Sequence, residues 1–201
     1  MKERRFAATV SYRGTRFSGW QRQAGEASVQ GFLEEALADL FGAPVAVRAS
    51  GRTDSGVHGL GQVVAFDART RLSPGQVREA LNSRLRPDVR LGRVAVAAPG
   101  FHPRFDAKAK TYRYLVAEEP SPFLEGFAWV VRGRLDSAAM QRAASFMTGV
   151  HDFSSFQGAL RKAEDPVREI FRVTVKRERF TLDPSMRLVA IEVTGSGFLY
   201  K

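Results

Sequence analysis

The sequence predicts an α+β fold in two related halves. Three observations carry that prediction: short segments in which apolar and polar residues alternate, segments with apolar residues at helical spacing behind capping residues, and the order in which the two kinds succeed one another. The chain of 201 residues is long enough to bury a sizeable core. Hydrophobic residues make up 44% and charged residues 26%, which places it among water-soluble globular proteins.

Residues 4–12 alternate, with Phe6, Ala8, Val10 and Tyr12 on one face and Ala7, Thr9 and Ser11 on the other, the pattern of a half-buried strand. A polar loop follows from Arg13 to Ala27. Ser28 stands where an N-cap belongs, and Val29, Phe32, Leu33, Ala36, Leu37 and Leu40 recur at helical spacing until Gly42 and Pro44 stop the helix. Val45–Val47 predicts a short strand and Gln62–Phe66 another. Ser73, Pro74 and Gln76 spell a capping box for a second helix, whose apolar face is Val77, Ala80, Leu81 and Leu85. Leu91–Val96 closes the half as a fourth strand. The order strand-helix-strand-strand-helix-strand is that of a ferredoxin-like unit.

The second half follows the same logic less cleanly. Lys110–Val116 alternates as a strand, and Asp136 caps a helix with Ala139, Met140, Ala143 and Met147 inward. Leu135 against Met140 forms a hydrophobic staple. Residues 168–177 alternate Arg168, Ile170, Arg172 and Thr174 against Glu169, Phe171, Val173 and Val175, and residues 187–194 form a last strand. Pro99-Gly100-Phe101-His102-Pro103 is the expected joint, giving halves 1–102 and 103–201.

The charge narrows the function. Lys plus Arg number 31 against 21 Asp plus Glu, a net +10 spread along the chain, which suits a folded basic face for a nucleic acid. With no cysteine, disulfides, thiolate metal sites and cysteine nucleophiles are excluded. No window holds eighteen apolar residues without charge, and the N-terminus carries no apolar run of signal-peptide length. A cytoplasmic protein with no membrane partner is expected. Walker loops, Gly-x-Ser-x-Gly elbows and His-Glu-x-x-His helices are absent from the sequence. The histidines His58, His102 and His151 have no ligand spacing between them and are read as hydrogen-bonding residues.

Gly51–Gly61 contradicts its setting between two apolar strands. Four glycines, Arg52 and Asp54 lie where a plain hairpin needs none of them. Glycines admit positive φ and close approach of another backbone, and Arg52, two residues before Asp54, is within reach of holding its carboxylate ionised. An ionised carboxylate in a tight loop is a candidate nucleophile or general base; a carboxylate capping the amides of its own turn is the other reading. A second constellation is Lys108, Lys110, Tyr112, Arg113 and Tyr114, where aromatic faces stand among phosphate-binding cations. Packing of those rings in the core is the alternative.

Gly51-Arg52-Thr53-Asp54-Ser55-Gly56-Val57-His58-Gly59-Leu60-Gly61-Gln62-Val63-Val64 resembles the catalytic signature of the TruA family of tRNA pseudouridine synthases. Further matches follow in order: Tyr12–Gln21, Lys110–Tyr114, His151–Phe156, Pro166–Arg168 and Gly197–Tyr200. The resemblance covers essentially the whole chain. It implies the pseudouridine synthase fold, in which two ferredoxin-like (RRM-like) halves carry a mixed, mainly antiparallel sheet around a central active-site cleft. It also implies isomerisation of uridine to pseudouridine at positions 38, 39 and 40 of the tRNA anticodon stem-loop, no cofactor, no metal, and a homodimer gripping tRNA.

By the resemblance Asp54 is the catalytic aspartate, Arg52 its basic neighbour, and Tyr112 packs against the target base. His58, Arg13, Arg16 and Arg22 are expected to bind substrate. Ser55 and Gly59 depart from alanines common in the family. The family pattern continues past Phe198-Leu199-Tyr200-Lys201 into a helix bearing an arginine that faces the aspartate, so the sequence is expected to be incomplete at that end. A non-catalytic RNA-binding protein on the same scaffold is the competing reading. A metal nuclease is disfavoured, because no second carboxylate clusters with Asp54.

Overall fold

The structure is a computed structural model that describes residues 3–158 and 165–199. Tyr200 and Lys201, the end of the last motif, lie outside the described residues. The fold is α+β with two sheets, and the chain divides into two compact units, Met1–Ala107 and Lys108–Lys201.

The first unit runs β1 (Glu3–Tyr12), α1 (Val29–Phe41), β2 (Val47–Ala49), β3 (Gly59–Arg69), α2 (Pro74–Asn82) and β4 (Val89–Val96). Its antiparallel sheet has the order β2-β3-β1-β4. That is the ferredoxin-like arrangement, with β1 and β3 central because α1 carries the chain over the place of β3 and α2 carries it over β1. Alternation in β1 buries Phe6, Ala8, Val10 and Tyr12 under both helices, against Leu33, Leu37, Val77 and Leu81. Ser28 Oγ accepts from Gly31 N–H to start α1, and Gly42 ends it in the left-handed region at φ 69°. The Ser73/Gln76 capping box is closed in both directions.

Several strand boundaries differ from expectation: β2 runs two residues later at both ends, β3 is longer at both ends, and β4 starts two residues earlier. β2 begins at Val47, where Phe66 is its partner, two residues later than the apolar run suggests. β3 reaches back to Gly59 because the full length of β1 is there to pair with it, Tyr12 opposite Gly59.

The second unit runs β5 (Lys110–Ala117), β6 (Trp129–Val130), α3 (Ser137–Ser145), β7 (Gly149–Asp152), β8 (Val167–Phe180) and β9 (Asp183–Gly195). Its sheet order is β6-β5-β9-β8-β7, parallel between β5 and β6 and antiparallel elsewhere. Asp136 accepts from the Ala138 and Ala139 N–H groups as the N-cap of α3. Leu135 and Met140 share a cluster with Val116, Val175 and Val189, as the staple requires. Ala144 packs inward, whereas Ala143, expected there, is exposed.

The faces of β8 also differ from simple alternation. A register shift between Ile170 and Arg172 inserts Phe171 as an extra residue, so Ile170 joins Val173 and Val175 in burial while Phe171 is exposed.

Candidate active site

Two loops of the first unit build the site: the segment 13–28 between β1 and α1, and the segment 50–58 between β2 and β3. They are joined by backbone contacts that only glycine permits. The Gly14 N–H donates to His58 Nδ1 at 3.1 Å, and a Cβ on Gly14 would fall 2.5 Å from the Val57 carbonyl carbon. Gly19 sits at φ 112°, and a Cβ there would stand 2.7 Å from the Thr53 carbonyl oxygen. The next residue, Trp20, is buried and donates its N–H to that same oxygen at 3.0 Å. The Phe17 carbonyl accepts from the Gly56 N–H at 3.4 Å and from Ser55 Oγ at 3.3 Å. Gly56 takes φ 78°, which lets the chain turn back, with Val57 N–H donating to Asp54 O at 3.2 Å.

The underside of the second loop rests on side chains from the strands. Tyr12 Oη is 2.8 Å from Thr53 Oγ1 and donates to Gln62 Oε1 at 3.2 Å, and Gln62 Nε2 donates to the Gly51 carbonyl at 3.0 Å. Thr53 is half-buried in this way, while Arg52 and Asp54 on either side of it are exposed. No ion pair within 4.0 Å joins Arg52 to Asp54 among the described residues. The expected contact is therefore missing. The backbone bonds that grip Thr53 present Arg52 and Asp54 to solvent separately, and an exposed guanidinium gains little by folding back.

The substrate-binding candidates fall in different settings. Arg13, Arg16 and Arg22 are all exposed on the first loop. The Arg13 N–H donates to Asp88 O, and Arg16 Nη1 lies 3.8 Å from Asp88 Oδ2. Arg22 pairs with Glu34 at 3.1 Å, and Glu34 also accepts from Gln30 Nε2 and the Val47 N–H. His58 is half-buried with Nδ1 engaged as acceptor. Tyr112 belongs to the second unit, on β5, opposite Val193 and edge-on to the Phe198 ring at 4.8 Å. Tyr114, two residues on, is 58% exposed, so it is not an ordinary core ring. All three histidines make hydrogen bonds, His102 Nδ1 accepting from the Arg104 and Phe105 N–H groups and His151 Nε2 lying 2.9 Å from Thr148 O. Among the described residues no three His, Asp or Glu side chains cluster so as to hold a metal ion. No helix of the described residues is long and apolar enough to cross a membrane.

Sequence reasoning overlooked Tyr12 and Gln62 as parts of the site, taking the first as core and the second as strand. The available signal was a phenol on a buried strand face, whose hydroxyl needs a partner. The departures at Ser55 and Gly59 acquire a physical account. Ser55 adds a hydrogen bond between the loops that alanine lacks. At Gly59 the space a Cβ would need is taken by the Tyr12 ring, with Cζ at 2.6 Å.

Comparison with known proteins agrees along the chain. A family model described as tRNA pseudouridine synthase matches residues 8–106 and 143–201. A protein of a Geobacillus species named tRNA pseudouridine synthase A is 42% identical over 200 residues, covering 98% of this chain and 78% of the relative. Proteins of the same name from Pseudothermotoga lettingae and Neisseria gonorrhoeae are 39% and 41% identical, covering 98% and 99% of this chain and 78% and 74% of theirs.

Proposed function

The chain belongs to the tRNA pseudouridine synthase family, and from that premise we propose that it isomerises uridine to pseudouridine at positions 38, 39 and 40 of the tRNA anticodon stem-loop, with Asp54 as the catalytic carboxylate. The observation that carries the assignment is the exposed Asp54 side chain on a loop whose backbone is held on both flanks. Catalysis by a carboxylate needs that combination, because a fixed backbone places the charge and an open face admits the nucleotide.

The reaction breaks the C1′–N1 bond, turns the uracil, forms a C1′–C5 bond and releases the C5 proton to a base. Loss of N1 leaves the sugar electron-poor, and a carboxylate answers that deficit by its charge or by bonding. The target base leaves its stack first, at a cost of a few kcal/mol that stacking on Tyr112 and phosphate contacts offset. Arg13, Arg16 and Arg22 supply those contacts, Arg16 and Arg22 exchanging the half-buried carboxylates of Asp88 and Glu34 for phosphates, and Arg52 and His58 line the nucleotide's approach. The catalytic loop lies in the half 1–102 and the stacking strand in the half 103–201. The working enzyme is a cytoplasmic homodimer, a state that sedimentation velocity with and without tRNA reads directly.

The decisive experiment incubates the protein and Asp54→Asn with unmodified tRNA transcript and maps pseudouridine at single-nucleotide resolution. The expected result is signal at positions 38–40 from the wild type, a fall of roughly 10⁴-fold or more in the variant, and tRNA affinity unchanged within about twofold. Tight binding without turnover by the wild type would favour the non-catalytic RNA-binding reading.

A further inference from the structure

We infer that Tyr12 is a positioning residue for Asp54, an inference that rests on Asp54 being the catalytic carboxylate. Tyr12 is the last residue of β1, only 4% exposed, with its ring packed against Trp20 at 5.8 Å between centroids and over Gly59. The ring is thus held on two sides, and its hydroxyl points at the underside of the 50–58 loop. A phenol carries one proton. Since Tyr12 Oη donates to Gln62 Oε1 at 3.2 Å, the Thr53 hydroxyl is the donor in the 2.8 Å bond. Gln62 then donates from Nε2 to the Gly51 carbonyl at 3.0 Å.

The result is one directed chain, Thr53 to Tyr12 to Gln62 to Gly51, that leaves the loop at one residue and returns to it two residues earlier. It brackets Arg52, and Asp54 is the residue that follows Thr53. The Trp20 backbone N–H holds the Thr53 carbonyl, so the residue leading into Asp54 is held at both its side chain and its backbone. Hydrogen bonds in series along a partly buried path reinforce one another. A tyrosine serving only as core filler would need one partner for its hydroxyl; Tyr12 bonds both to the residue before Asp54 and to the side chain that holds Gly51.

The test uses the full chain carrying Tyr12→Phe, Thr53→Val, both together, and Thr53→Ser, with Asp54→Asn in parallel. Phenylalanine keeps the ring against Trp20 and removes only the hydroxyl. Tyr12→Phe and Thr53→Val are each expected to lower kcat about 10- to 100-fold, as a small misplacement of a reacting group does. KM for tRNA stays within about twofold, since loop placement is felt at the reacting atoms rather than in phosphate binding. The double variant is slower than the slower single by no more than about twofold, because both remove one interaction. Thr53→Ser, which restores the hydroxyl, returns kcat to within about threefold of wild type. Wild-type kcat in Tyr12→Phe, a loss confined to KM, or losses that multiply in the double variant would overturn the inference. If Tyr12→Phe does not fold, the contrast of Thr53→Val with Thr53→Ser decides it alone. An active Asp54→Asn protein would instead overturn the catalytic reading beneath it.

Discussion

Gly14 shows how a single residue sets the geometry of the site. Its Cα faces the Val57 carbonyl so closely that a methyl group would overlap backbone, which cannot swing aside as a side-chain tip can. Gly14→Ala must therefore separate the two loops and stretch the Gly14 N–H to His58 Nδ1 bond. The expected cost is about 1–3 kcal/mol, the range for overpacking a close contact, read as a lower melting temperature together with lost turnover. Unchanged melting would mean that the loops part without resistance. The glycine was visible in the Tyr12–Gln21 motif, but its reason was not, because Val57 lies more than forty positions away in the sequence. Arg52 and Asp54 teach the same lesson in reverse: their spacing suggested an ion pair, and the backbone grip on Thr53 presents them apart.

At the level of elements, helix starts were the most legible feature, since a cap is a local hydrogen bond between residues two or three apart. Ser28, Ser73 and Asp136 all sit where their sequences placed them. Ser73→Ala removes one half of the capping box, the bond from Gln76 N–H to Ser73 Oγ, and leaves the backbone N–H of residue 73 donating to Gln76. It is expected to cost about 1 kcal/mol, measured by denaturant unfolding, and no change in midpoint would show that the Oγ bond contributes nothing to α2. Acid is a second probe. The hydrogen bond from Arg5 and the charges of Arg5 and Arg48 hold Asp67 below its ordinary value of 3.8, and the Ala139 and Ala138 N–H groups do the same for Asp136. A carboxylate lowered on folding stabilises the native state above its unfolded pKa, and that contribution is lost as pH falls through the folded value. Stability should thus decline on acidification below about pH 4, and Asp67→Asn should flatten that decline in a pH series of melting curves. Strand faces were less legible. The extra residue at Phe171 reverses the alternation in β8, and a bulge is decided by what the partner strand offers, not by the residues around it.

Over the whole molecule the net charge of +10 predicts tRNA binding that weakens steeply with salt. Arg16 is the clearest test among the candidate contacts, as its partner Asp88 stands 3.8 Å away and its own side chain is 70% exposed. Such a pair is worth less than about 1 kcal/mol and yields readily to phosphate. Arg16→Ala should weaken tRNA binding and lower the slope of log K against log salt by about one unit; an unchanged slope, measured by filter binding, would remove Arg16 from the phosphate contacts. Arg22 offers a contrast, since its partner Glu34 also anchors Gln30 and the start of β2. By itself the sequence determined the α+β class, the order of elements in the first unit, the helix caps and the loop that bears Asp54, because periodicity, capping and motif spacing act between near neighbours. Tertiary structure alone decided the bulge in β8, the glycine contacts between the two loops and the path from Thr53 through Tyr12 and Gln62 to Gly51. Each of these depends on which backbone the fold brings alongside, and that follows from packing rather than from any local run of residues.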